Sequence, residues 1–244
     1  VQKIYREQDL WKVQTEGWTY EGDAVILANG SQASSVQGAD GSGYVLAKEL
    51  GHHIIKPLPA LTGLKVKGNF FSAWAGVRTD CRVTLWIDGT ETASETGEIQ
   101  LTDYGISGIP VFQISGMAAR AMEEKRKVSV TLNFFPEYAE ENIQELLAKR
   151  EKEYPELSKA ERLLGLLPDK LIKVILKQKD PYRAMTAFPL EIKGTSGFEQ
   201  AQVCTGGVDT GEVDPDPLES RSHRGLYVAG EHLAIDGPCG GYTL

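Results

Sequence analysis

The last twenty residues, Gly225 to Leu244, constrain the fold more tightly than any other stretch: a four-residue apolar run, a glycine, an acid, then a cluster of glycines. Leu226-Tyr227-Val228-Ala229 is continuously apolar, the pattern of a parallel strand covered on both faces rather than of a half-exposed antiparallel one. Gly230 ends the run where backbone must turn sharply or meet a ligand closely, and Glu231 follows at the carboxyl end of the strand. In open α/β sheets ligands bind beyond that end, where a carboxylate accepts hydrogen bonds from sugar or ribityl hydroxyls. Gly237-Pro238-Cys239-Gly240-Gly241 then makes a turn whose free N–H groups can face an anionic or electron-rich ring edge. Asp236 shapes that turn.

The amino end leads to the same architecture. Ile4-Tyr5, Leu10 to Val13 and Trp18 to Tyr20 alternate as a meander with turns at Glu16-Gly17 and Glu21-Gly22, whereas Ala24 to Ala28 is apolar throughout and reads as a buried parallel strand. A helix is expected over Ser42 to Leu50, with Tyr44, Leu46, Ala47 and Leu50 on one face and Gly51 as its stop. From about Pro57 the texture changes to β-rich pieces, Arg82–Asp88, Thr90–Glu95 and Glu98–Asp103, joined by Asp88-Gly89 and Thr96-Gly97 turns. Pro110 opens a helix running to about Glu124 with Val111, Ile114, Met117, Ala118 and Ala121 on one face, and Val128, Val130, Leu132 and Phe134 alternate as a strand. Beyond Pro136 the pattern is helical, with a capping box at Ser158 to Glu161 ahead of Leu163 and Leu164 and a short helix over Asp169 to Lys177. Met185 to Ile192 reads as a returning strand. The expected organisation is an α/β, Rossmann-type domain split between residues 1–56 and 198–244, interrupted at 57–197 by a β-barrel-like and helical insertion.

Composition narrows the function. A net charge of −8 without a Lys/Arg cluster opposes nucleic acid and anionic membrane surfaces as partners. Cys81, Cys204 and Cys239 form no C-x-x-C pair, which argues against a disulfide framework or a disulfide-exchange mechanism and fits a reducing cytoplasm. His52, His53, His223 and His232 lack metal-ligand spacing, so no metal site is expected. Gly105 to Ile109 misses the G-x-S-x-G nucleophile pattern, and no phosphate-cradling G-x-x-x-x-G-K-[ST] occurs. Ala28-Asn29-Gly30 ends a strand and is either a plain turn or a backbone approach to a cofactor. Gly206-Gly207 after Val203-Cys204-Thr205 poses the same choice. Arg183 lies where the insertion returns and is either an ion-pair partner or a clamp for a substrate carboxylate or carbonyl.

The strings TGGVDTGEVDP (Thr205 to Pro215), LES (Leu218 to Ser220), GLYVAGE (Gly225 to Glu231) and DGPCGGY (Asp236 to Tyr242) resemble the closing segment of the BaiN/YhiN-type flavoproteins, the NAD(FAD)-utilising dehydrogenases. VILANG (Val25 to Gly30) and GADGSGYVLAKELGH (Gly38 to His52) resemble the strand, turn and helix of the same FAD domain. The resemblance implies an FAD-dependent oxidoreductase moving hydride between flavin and a small organic substrate, with NADH or NADPH as possible electron donor. It implies cofactor contacts from Ala28, Asn29, Gly30, Gly206, Gly207, Gly230, Glu231, Asp236, Gly237, Gly240, Gly241, Tyr242 and Thr243, the last four at the flavin pyrimidine edge where negative charge grows on reduction. The alternatives are a peroxide-producing flavin oxidase and a non-catalytic binding module. No G-x-G-x-x-G occurs in the 244 residues, and the chain starts at Val1 inside a domain-like pattern, so a fragment that binds FAD poorly on its own is expected. The resemblance places a nucleotide-binding βαβ unit before Val1 and a flavin-side helix after Leu244.

Overall fold

The computed structural model describes residues 1–35 and 37–237. Contacts divide the chain into two units, Val1–Leu61 with Gly197–Leu244, and Thr62–Ser196. The chain opens with a three-stranded antiparallel meander of β1 (Lys3–Glu7), β2 (Leu10–Gln14) and β3 (Thr19–Gly22). Gln8 and Asp9 join β1 to β2 with both φ angles positive, the two-residue turn whose twist matches its flanking strands. Trp11 of β2 is 1% exposed, and its indole N–H donates to the Arg224 carbonyl at 3.2 Å. β4 (Val25–Leu27) buries Leu27 but leaves Ile26 65% exposed, so this run is not covered on both faces as its composition suggested. After α1 (Ser42–Glu49), Gly51 adopts a φ of 91° while Gly51 N–H donates to the Lys48 carbonyl and His52 N–H to that of Ala47. That is the paired-bond helix stop that a left-handed glycine permits. β5 (Ile54–Ala60) completes this passage.

The second unit is a closed antiparallel barrel. β6 (Leu64–Val66) precedes the hairpin of β7 (Arg78–Ile87) and β8 (Thr90–Leu101), which turns at Asp88-Gly89 as expected. The Asp88 carboxylate fixes that turn by accepting from Arg126 Nε at 2.7 Å and the Lys127 N–H at 2.9 Å. Thr96-Gly97 is not a turn. It lies inside β8, where Gly97 faces Cys81 across the ladder and a Cβ would meet Pro110 Cγ at 3.2 Å. β9 (Gly105–Gly108) leads into α2 (Ile109–Glu123), whose Val111, Ile114 and Ala118 are wholly buried among the barrel residues; Met117, expected on that face, is 41% exposed. β10 (Val128–Asn133) alternates buried and half-buried, as its sequence dictates. The helical part comprises α3 (Glu140–Glu153), α4 (Asp169–Ile175) and α5 (Pro181–Thr186), and β11 (Phe188–Thr195) closes the barrel between β10 and β6. Met185 lies in the last turn of α5 instead of starting a strand, because Asp180 caps the helix by accepting from the Arg183 N–H at 3.0 Å and Pro181 fills its first position. The reciprocal bonds of the capping box do form between Ser158 and Glu161, but they open only a single 3-10 turn over Glu161–Leu163.

On its return the chain forms β12 (Val203–Val208), every residue of which is buried, antiparallel to β5. Pro57 to Leu61 therefore belongs with the first unit, not with the insertion where the change of texture put it. β13 (Leu226–Val228) lies parallel to β4 in the register Val25–Leu226, Ile26–Tyr227, Leu27–Val228. Val25, Leu27, Leu226 and Val228 pack with Trp11, Leu46 and Ala47 in one core, and Ile26 and Tyr227 alternate to the other side. Gly225, just before β13, has a φ of 79°, and a Cβ there would stand 2.9 Å from the Asp23 carbonyl oxygen. Among the described residues no helix is long and apolar enough to cross a membrane.

Candidate functional site

Because β4 and β13 are parallel and in register, their carboxyl ends emerge side by side, with the Ala229 N–H bonded to the Leu27 carbonyl at 3.0 Å. Two segments separated by some two hundred residues in sequence thus meet: Ala28-Asn29-Gly30 and Ala229-Gly230-Glu231. Gly30 (φ 74°) and Gly230 (φ 68°) both hold left-handed backbone just past the strand ends. A Cβ on Gly30 would find nothing within 4 Å, so glycine serves conformation there and the space beside it is open. Ala28 and Asn29 are exposed, and Glu231 is half-buried.

The Glu231 carboxylate is held, not loose. The buried Ser31 hydroxyl donates to Glu231 Oε2 at 2.6 Å while its own oxygen accepts the Ala33 N–H at 3.1 Å. The Tyr44 hydroxyl, reaching from α1, donates to the Glu231 carbonyl at 3.1 Å. Burial pushes the Tyr44 phenol well above its usual range, helped by Cys204 and Glu231 nearby, so it stays a neutral donor. Next in sequence, His232 is 0% exposed, and burial drives its imidazole toward the neutral form. Its Nε2 pairs with Asn29 Oδ1, and its Nδ1 is buried with no partner. A neutral ring with one used nitrogen carries its proton on Nε2, which turns the Asn29 oxygen inward and leaves the amide N–H groups as the donors Asn29 offers elsewhere. Gly43 makes the pairing possible, since a Cβ on it would lie 2.1 Å from His232 Nε2 and 2.3 Å from Asn29 Nδ2.

Behind this corner the Thr205 hydroxyl, on β12, donates to Asp236 Oδ2 at 2.7 Å and anchors the segment after Glu231. Gly206 and Gly207 serve backbone packing. A Cβ on Gly206 would stand 2.5 Å from the Lys56 carbonyl oxygen, and one on Gly207 2.5 Å from that of His232. Cys204 is 4% exposed; burial raises its thiol pKa, against opposing hydrogen bonds from Ser31 and the Gln32 and Ala33 amides. Gly237 is half-buried at the edge of the described residues. Cys239, Gly240, Gly241, Tyr242 and Thr243 lie outside them.

Several polar residues carry no signal a sequence pattern would reveal. Ser31 looks like any loop serine, Tyr44 like one more apolar residue of a helix face, and Thr205 like filler in a strand. His52, far from any ligand spacing, sits between Glu212 (Nδ1 to Oε2, 2.9 Å) and Ser220 (Nε2 to Oγ, 3.0 Å), at the distances of a nucleophile, base and acid. Ser220 is only 5% exposed, however, and its oxygen also accepts the Ser222 and His223 N–H groups. That arrangement ties the Asp209–Gly225 loop down and does not free an attacking oxygen. Arg183 is exposed on α5. Among the described residues no three His, Cys, Asp or Glu side chains gather at metal-binding distance.

The chain is 42% identical over 249 aligned residues to a 3-dehydro-bile acid delta(4,6)-reductase of Clostridium scindens, covering 95% of this chain and 61% of that protein. It is 25% identical to ribosomal RNA dihydrouridine synthases of Haemophilus influenzae and Escherichia coli, covering 100% of this chain and 62% of each. The chain therefore spans about three-fifths of the length of these relatives. A family model described as the HI0933-like protein Rossmann domain matches residues 1–244. That match runs over the whole chain, and the protein belongs to the HI0933-like family.

Proposed function

We propose that the protein is an FAD-dependent oxidoreductase that reduces a carbon–carbon double bond conjugated to a carbonyl in a small organic substrate. The observation that carries this reading is the corner at the aligned ends of β4 and β13, where Gly30, Gly230 and a fixed Glu231 carboxylate stand together. Its chemistry fits a dinucleotide. Open space lies beside Gly30, and Glu231 Oε1 accepts no hydrogen bond from the described residues, so it is available to a sugar or ribityl hydroxyl. FAD, when bound, supplies hydride chemistry; this chain holds and orients it, with Ala28 to Gly30 and Gly230 to Glu231 along one edge. Gly206, Gly207, Asp236 and Gly237 support that edge, and the segment Gly240 to Thr243 serves the ring.

The relatives support the substrate class. A delta(4,6)-reductase and a dihydrouridine synthase both, by name, act on a carbon–carbon double bond. The more similar relative acts on a bile acid, and a net charge of −8 opposes ribosomal RNA, which favours the small molecule. NADH or NADPH serves as electron donor, and the setting is cytoplasmic.

The test is flavin binding and turnover by the full-length protein. It is expected to bind one flavin, bleached by NADH or NADPH and re-oxidised by a 3-oxo-4-ene steroid without peroxide release. Glu231→Gln is expected to weaken flavin binding roughly 10-fold to 100-fold, the worth of a hydrogen bond to a charged group. A colourless protein overturns the reading. Peroxide formed in step with turnover supports an oxidase instead, and re-oxidation by ribosomal RNA alone moves the substrate to nucleic acid.

A further inference from the structure

We infer that Ser31 is a positioning residue that aims the Glu231 carboxylate at a hydroxyl of the bound dinucleotide, an inference resting on the cofactor reading above. Ser31 is 4% exposed, and its one proton is committed to Glu231 Oε2 at 2.6 Å, within the short range of a hydroxyl bonded to an ionised carboxylate. The Ala33 N–H, donating to the Ser31 oxygen at 3.1 Å, occupies one of its lone pairs and helps to turn the hydroxyl toward Glu231. The Tyr44 hydroxyl pins the main chain of Glu231, and Ser31 pins the far end of its side chain. With Oε2 held, Oε1 is set in one direction before any ligand arrives, and the freedom of a flexible glutamate is removed in advance. Without Ser31 the carboxylate loses its aim.

The hydroxyl has two possible sources, the ribityl chain or the adenosine ribose, and the titrations separate them. In the full-length protein, FAD, riboflavin and ADP are titrated against wild type, Ser31→Ala, Ser31→Thr, Glu231→Gln and the Ser31→Ala/Glu231→Gln double variant. Ser31→Ala is expected to weaken FAD binding about 10-fold, with Ser31→Thr restoring much of it, and to add nothing once Glu231 is already Gln. A loss confined to riboflavin assigns the ribityl chain, and one confined to ADP assigns the ribose. A merely structural serine would lower affinity equally in both backgrounds, and that additivity overturns the inference, as does unchanged FAD affinity in Ser31→Ala. Glu231→Gln binding FAD like wild type removes the cofactor reading of Glu231 itself. Melting of each apoprotein identifies a variant that fails to fold, in which case Ser31→Cys, a weaker donor of similar size, takes the place of Ser31→Ala in the same cycle.

Discussion

Gly43 shows how one missing side chain can organise a site. In an ordinary helix, replacing glycine by alanine stabilises by about 1 kcal/mol. Here the added carbon would fall 2.1 Å from His232 Nε2 and 2.3 Å from Asn29 Nδ2, and His232 has no room to retreat at 0% exposure. Overpacking of that kind costs about 1–3 kcal/mol, so the clash outweighs the propensity gain. Gly43→Ala is expected to lower the denaturant midpoint and to weaken flavin binding in the full-length protein together; an unchanged midpoint would show that the His232–Asn29 pair is not packed as described. At this scale the sequence was informative about residues whose type is unusual for their place. Glu231 and Gly30 stood out because an acid and a glycine at strand ends demand a reason. Ser31, Tyr44 and Thr205 did not, because a hydroxyl is equally at home in a loop, a helix face or a strand, and only the fold shows which partner it meets. Gly206 and Gly207 were legible as special but not in their purpose: the carbonyls of Lys56 and His232 that exclude a side chain come from remote segments.

Elements follow the same rule, with local signals competing for short stretches. Asp88-Gly89 is a turn because aspartate and glycine adopt its positive φ angles and Arg126 and Lys127 secure it. Thr96-Gly97 has similar composition but lies mid-strand, since its glycine makes room for Pro110 rather than for a turn. Met185 to Ile192 carries strand-forming residues, yet Asp180-Pro181 starts a helix that runs through Thr186. The cap decides that outcome, so Asp180→Ala is expected to cost about 1 kcal/mol, read as a lower urea midpoint. Asp180→Ser or Asp180→Asn should restore it; no loss in Asp180→Ala would mean that packing of Ala184 and Met185 alone holds α5. The apolar run at β4 misled in a different way. Continuous hydrophobicity reports the residues a strand can bury, and among the described residues Ile26 remains exposed while its neighbours on either side pack inward.

For the whole molecule, the change of texture near Pro57 lies close to where the chain passes from one compact unit to the other, but that passage comes five residues later, after Leu61. The strand pairing of β5 with β12, a contact across more than a hundred residues, sets that boundary and leaves no local mark. The parallel pairing of β4 with β13 is equally remote, and it brings Gly30 and Glu231 to one corner. The most direct test is a structure of the flavin-loaded full-length protein. The dinucleotide is expected along the ends of β4 and β13, with a ribityl or ribose hydroxyl within hydrogen-bonding reach of Glu231 and the Ser31–Glu231 bond intact. A dinucleotide bound elsewhere, with Glu231 facing solvent, would contradict the account.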